Sequence, residues 1–193
     1  GTEEAVSATT FSMVDLVPST GYDVWVRTDC GDDTSYYSLC CSFRTPCAET
    51  LPIPFTETFD SYGFGSTVRP ECWTYQGYNN NASYPQVSAS QHYSGTSSLY
   101  MYSYKSSTDT ATPWTYLMTP PIDTETYPMN TLQVSFRALI TSSGSSYPGT
   151  IIVGVVNDTA DIRGSFYPID TVAVTNLSEW QEMEIFLNQY PED

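Results

Sequence analysis

Basic residues are nearly absent from this chain: six Lys and Arg stand against 22 Asp and Glu, giving a formal charge of −16, and only one of the six is a lysine. A surface this acidic repels phosphate backbones and anionic lipid headgroups, which argues against nucleic-acid and polybasic membrane-binding functions. Imidazole is equally scarce. His92 is the only histidine, so a hydrolase built on nucleophile, base and orienting group has a single candidate base, in Gln91-His92-Tyr93-Ser94-Gly95. No CxxC pair occurs and no apolar run approaches the ~20 residues that span a bilayer, so zinc, dithiol-redox and membrane-inserting readings are weak. No signal-peptide pattern opens the chain, and an exported form is expected to carry that signal in a longer precursor.

What is present describes short strands and turns. Sixteen Tyr, abundant Thr and Ser, thirteen Pro and eleven Gly favour an all-β fold, and 40% apolar residues can fill an ordinary sandwich core. The acidic balance leaves cations and neutral ligands permitted, or simply keeps a surface protein soluble. Five cysteines, Cys30, Cys40, Cys41, Cys47 and Cys72, fit disulfides in an oxidising compartment, and the odd count leaves at least one thiol unpaired within the chain.

Residues 1–46 read as a separate block. Tyr22, Val24 and Val26 share one face of a strand that follows the corner Pro18-Ser19-Thr20-Gly21. The pattern from Leu16 to Val26 resembles the end of a fibronectin type III sandwich, with Tyr22 in the tyrosine-corner position, its hydroxyl bonding back to the corner backbone. CGDDTSYY (30–37) is expected to turn and CCSFRT (40–45) to form the final strand.

From Cys47 onward the blocks PFTETFDSY (54–62), RPECW (69–73) and YSGTSSLYMYS (93–103) follow one another, then WTYLMTPPID (114–123), LQVSFRALI (132–140) and EWQEMEIFL (179–187). In that order they resemble the cleaved-adhesin and MAM-like jelly-roll domains of secreted and surface proteins of Bacteroidetes. The resemblance implies a concanavalin A-like or galactose-binding-like β-sandwich over 47–193, an extracellular or outer-surface location, and a non-catalytic adhesion or binding role. It lacks the family's last two strands, which predicts an open sheet edge. The partner implied is a host or dietary glycan or an extracellular protein; the alternatives are an accessory domain of a secreted protease or glycoside hydrolase, and a structural spacer.

Several elements are predicted directly from pattern. Leu132, Val134, Phe136, Ala138 and Ile140 alternate inward along one antiparallel strand. TIIVGVV (150–156) is apolar on both faces, as a covered central strand would be, with Gly154 admitting a close neighbour. For 176–187, Ser178 and Gln181 offer a helical capping box, but Met183, Ile185 and Leu187 alternate with Glu182 and Glu184, and a strand is predicted.

Three sets of candidate site residues result. The resemblance implies a Cys47–Cys72 disulfide around the first jelly-roll strand; Cys30 would then pair with Cys40 or Cys41, and a Cys30–Cys47 bridge is the competing connectivity. It also implies a structural calcium at Glu57 and Asp60, although regular strand alternation puts those carboxylates on opposite faces unless a bulge or turn forms near Phe59; two solvated carboxylates are the plainer alternative. Asn157, Asp158 and Asp161 form a second oxygen-rich loop without a calcium spacing. Finally, Tyr100, Tyr102 and Tyr104 line one side of a strand while Leu99 and Met101 face the other. Such a row suits stacking on sugar rings, or packing under a loop such as residues 75–86.

Overall fold

The computed structural model describes residues 1–77, 84–103, 114–141, 149–175 and 178–191. Among these the chain is nearly all β: ten strands, and no helix longer than a single 3-10 turn. Every strand pair is antiparallel.

The first hairpin joins β1 (Gly21–Val24) to β2 (Cys41–Arg44), pairing Tyr22 with Phe43 and Val24 with Cys41. Tyr22 stacks on Phe43 with ring centroids 5.7 Å apart, and its hydroxyl accepts a hydrogen bond from the Val17 amide at 2.8 Å. The hydroxyl therefore bonds back to the corner backbone as the sequence suggested. Pairing continues toward the tip through Ser38 N to Val26 O and Ser35 N to Thr28 O, ending where Cys30 N donates to Asp33 O.

That register corrects the expected Cys30 pairing. Cys41 lies opposite Val24, six residues from Cys30 along its strand, so at ~3.3 Å per residue roughly 20 Å separates hairpin tip from base. A disulfide requires Cα atoms within about 7 Å. Cys30, Cys40 and Cys41 accordingly carry free, exposed thiols.

The hairpin docks on the rest of the chain at its corner. Ser19 N donates to Pro46 O, Ser19 Oγ lies 2.8 Å from Cys72 Sγ, and Arg44 pairs with Glu71. Beside that contact the Cys47–Cys72 disulfide closes as the resemblance implied.

Between the two cysteines the expected strand over 54–62 does not form. Leu51 makes a parallel bridge to Ile122, Gly65 and Val68 exchange backbone bonds with Val87, and Phe59 takes a left-handed φ of 64°. The carboxylate of Glu57 draws the Phe59 amide into a turn at 2.6 Å, and this local bond replaces the strand ladder. Trp73 fills the space beneath, against Phe55 and Phe59.

The core lies further along. β7 (Gln133–Ala138) pairs with β10 (Gln181–Phe186), and β8 (Gly149–Val156) with β9 (Phe166–Val174). Ile185 of β10 and Leu187 of the 3-10 turn that follows it meet Val155 and Ile169 from the second pair, flanked by Leu132, Phe136, Val153 and Val172. The 181–186 segment is therefore a strand, because burying Ile185 and Leu187 on one face outweighs a capping box that offers only local bonds. The alternation from Leu132 to Ala138 holds at Leu132, Phe136 and Ala138, whereas Val134, expected inward, stays 37% exposed at the sheet margin.

β8 departs from expectation in one respect. Its outer face is not covered: Ile152 keeps 43% of its surface exposed. Gly154 sits at a register shift, where a Cβ would clash with the Tyr167 carbonyl and the Phe166 ring, so the close approach expected at this glycine is present.

Candidate functional site

Two short hairpin-like pairs stand apart from this core: β3 (Thr74–Gln76) with β6 (Tyr116–Met118), and β4 (Gln86–Ser88) with β5 (Ser98–Tyr100). The β4–β5 register places Gln86 opposite Tyr100, Val87 opposite Leu99 and Ser88 opposite Ser98. Val87 is fully buried at 0% exposure and sets the inward face, so Gln86, Ser88, Tyr100 and Ser98 occupy the other.

Just beyond the end of this pairing, Tyr84 comes against Tyr102. The Tyr84 ring lies 5.1 Å from Tyr102, tilted by 34°, and 5.2 Å from Tyr100 in an edge-on arrangement. Three tyrosines therefore form one aromatic group, of which Tyr102 stays 40% exposed. Burial, then the neighbouring phenols of Tyr100 and Tyr102, raises the Tyr84 pKa, which keeps its hydroxyl a neutral donor and acceptor. Tyr104 falls outside the described residues. Tyr84 was not singled out from sequence, although it belongs to the 75–86 segment considered as a cover for the row; its signal lies in counting back from the strand pairing, which needs the register first.

Glu57 and Asp60 are held apart by different partners. Glu57 accepts from the Phe59 amide and, at 2.9 Å, from the Tyr62 hydroxyl, whose pKa burial and that carboxylate push up to about 12. Asp60 reaches the turn before β5: its Oδ1 accepts from Thr96 N at 2.7 Å, Thr96 Oγ1 at 3.1 Å and Ser97 N at 3.1 Å. Ser97 Oγ returns a bond to Phe59 O at 3.1 Å. Gly95 is required there, since at φ +63° a Cβ would run into the Asp60 carboxylate. The turn near Phe59 that the calcium reading needed does form, and in it both carboxylates accept hydrogen bonds from within the protein. No group of three or more His, Cys, Asp and Glu gathers among the described residues. Thr96 and Ser97 thus clasp the Asp60 carboxylate through hydrogen bonds.

The Thr96 amide, first among these donors, holds the Asp60 pKa below the ordinary 3.8. A depressed carboxylate contributes stability that is full above its unfolded pKa and is lost as pH falls through the folded value. Asp60→Asn should therefore show a smaller drop in melting temperature than the parent between about pH 6 and about pH 3; equal drops would remove the clasp. Calcium titration and chelation test the calcium reading directly: a melting temperature that rises with calcium and falls with chelator would support a cation at Glu57 and Asp60, and no shift would remove it.

The turn that carries these donors is also pinned from the opposite side. Arg137 on β7 lies 4.0 Å over the Tyr93 ring, pairs with Glu182 on β10 at 2.8 Å, and Trp180 meets the same tyrosine edge-on at 6.3 Å. Sequence reasoning missed this group, because its members are far apart in the chain and share no motif. His92 beside it is exposed. Asp158 and Asp161 cap their own turn, accepting from Ala160 N and Gly164 N, and Asn157 Oδ1 accepts from the Tyr190 hydroxyl.

No family model, curated protein or solved structure matches this chain.

Proposed function

We propose that this chain is a non-catalytic, extracellular or outer-surface binding module that holds a neutral glycan on the Tyr84, Tyr100 and Tyr102 face, as one part of a longer adhesive protein. The proposal includes the finer architecture the sequence suggested, a fibronectin type III-like end followed by a jelly-roll sandwich. The observation that carries it is a partly exposed cluster of three tyrosine rings on one face of a hairpin, with Tyr102 the most open to solvent of the two predicted ligand-binding tyrosines described. Rings in this state offer apolar planes to sugar C–H groups and hydroxyls to sugar hydroxyls. The charge of −16 disfavours polyanionic ligands and leaves neutral ones. A disulfide supports an oxidising location.

Replacing Tyr102 with Ala should weaken retention on a glycan array by about 1–2 kcal/mol, the scale of a lost stacking contact. Its melting temperature should fall far less than a buried aromatic would dictate, where truncation costs about 3–5 kcal/mol. Loss of stability on that larger scale would make Tyr102 a core residue, and failure of the parent protein to bind any glycan would reject the sugar reading. A second reading, adhesion to an extracellular protein, is favoured by Trp25, Tyr36 and Leu39, large side chains exposed along the first hairpin. Protein capture that survives Tyr102→Ala would support it.

A further inference from the structure

The β4–β5 hairpin does not end its outward face at the tyrosines. On the far side of β4 runs the stretch Gly65–Val68, bonded to it through Gly65 N to Val87 O and Val87 N to Val68 O, each 3.0 Å. Where this stretch and β4 diverge they leave an open groove of about 510 Å³, lined by Phe64, Ser66, Gln86, Ser88 and Ser90 over a floor that includes Val87. No charged residue lines it. Phe64 projects an aromatic ring that is 68% exposed, and the serine hydroxyls and the Gln86 amide supply both donors and acceptors. Gln86 belongs to both surfaces: it lines the groove and stands opposite Tyr100 in the β4–β5 register.

Building on the glycan reading above, we infer that the tyrosine face and this groove form one continuous cleft for a linear, uncharged oligosaccharide lying along β4. Regular strand covers Gln86–Ser88, and with Tyr84 and Pro85 before it and the bend at Ala89 and Ser90 after it the outward surface is longer than one sugar ring. A single ring on Tyr102 leaves Gln86 and the exposed Phe64 ring uncovered. Each further ring along the strand covers more of them, and the ring at the far end covers Phe64, removing exposed aromatic surface from water. The uncharged lining selects against acidic sugars as the net charge does, since neither offers a cation to pair with a carboxylate or sulfate.

The inference is tested by titrating neutral β-1,4-glucan, mannan and xylan oligomers of increasing length, from the single sugar to a chain long enough to span the cleft, into the parent protein, Phe64→Ala, Ser90→Trp and Tyr102→Ala. At least one series should bind the parent about tenfold more tightly at full length than as a disaccharide, the gain of about one added stacking contact. Phe64→Ala should abolish that gain while leaving disaccharide affinity unchanged, and Ser90→Trp, which fills the groove from its exposed rim, should do the same by a different route. Tyr102→Ala should weaken every length. Affinity that does not depend on length, or a full-length oligomer that binds both groove variants as it binds the parent, overturns the cleft and leaves the tyrosine site standing. Absence of binding by the parent at every length overturns the glycan reading itself.

Discussion

Removing the Cys47–Cys72 bridge by the paired substitution Cys47→Ser and Cys72→Ser should cost about 3–4 kcal/mol of stability, the chain-entropy value for a closed loop of about 26 residues. The cysteines are separated by 25 positions, and the segment between them holds no regular strand; the Leu51–Ile122 bridge, the Glu57 turn, the Asp60 bonds to Thr96 and Ser97, the Gly65 and Val68 backbone bonds to Val87 and the packing of Phe55 and Phe59 on Trp73 secure it. These scattered bonds are too few to take over the constraint once the sulfurs part. The bridge also lies at the docking point of the first hairpin, where Ser19 touches Cys72 and Arg44 pairs with Glu71, so its loss should loosen that contact as well. Denaturant melts of the double variant and of the reduced parent should coincide, both well below the oxidised parent. A difference under about 1 kcal/mol would show that the turn and the aromatic packing hold the segment unaided, and a peptide map of the non-reduced protein joining Cys47 to Cys30 would replace the bridge altogether.

Truncating Ile185 to Ala should destabilise by about 2–5 kcal/mol, the range for deleting a buried aliphatic side chain with partial collapse of the cavity. Ile185 is 2% exposed and packs in the cluster with Val155, Ile169 and Leu187, which is where the β7–β10 and β8–β9 pairs meet. Two-stranded sheets are marginal by themselves, so the contact between pairs carries much of what stability this half of the chain has. Val134, directly across the ladder from Ile185 but at the open margin, is the internal control: Val134→Ala should cost a fraction as much. Equal costs at the two positions, read by urea melts, would place the core elsewhere.

The strand periods were written in the residues themselves. Alternation from Leu132 to Ala138 and from Met183 to Leu187 is local, and any antiparallel pairing that buries one face must use it, so both strands followed from sequence alone. Gly154 was equally legible: an absent side chain within an apolar strand marks close approach, and the Phe166 ring and Tyr167 carbonyl fill that place. Composition sufficed for the all-β character and for the missing cationic surface, since neither depends on how the chain closes. The Cys47–Cys72 pair came from resemblance to other domains.

Tertiary structure decided whatever depends on register and on distant partners. Glu57 and Asp60 sit three residues apart, but one bonds within its own turn and the other reaches across to Thr96 and Ser97, an outcome that nothing within PFTETFDSY encodes. The pairing of Cys30 failed for a similar reason: nearness in sequence around a hairpin is not nearness in space once the register sets tip and base apart. Tyr84 joins Tyr100 and Tyr102 only because Gln86 pairs with Tyr100, and Arg137 meets Tyr93 and Glu182 only because β7 pairs with β10 and their sheet faces the turn before β5. A side chain's face is fixed by a period of two within its own strand, so sequence determines it. Which side chain lies across from it depends on the alignment of two strands, and that is settled by the burial of Val87 and Ile185 in the folded chain.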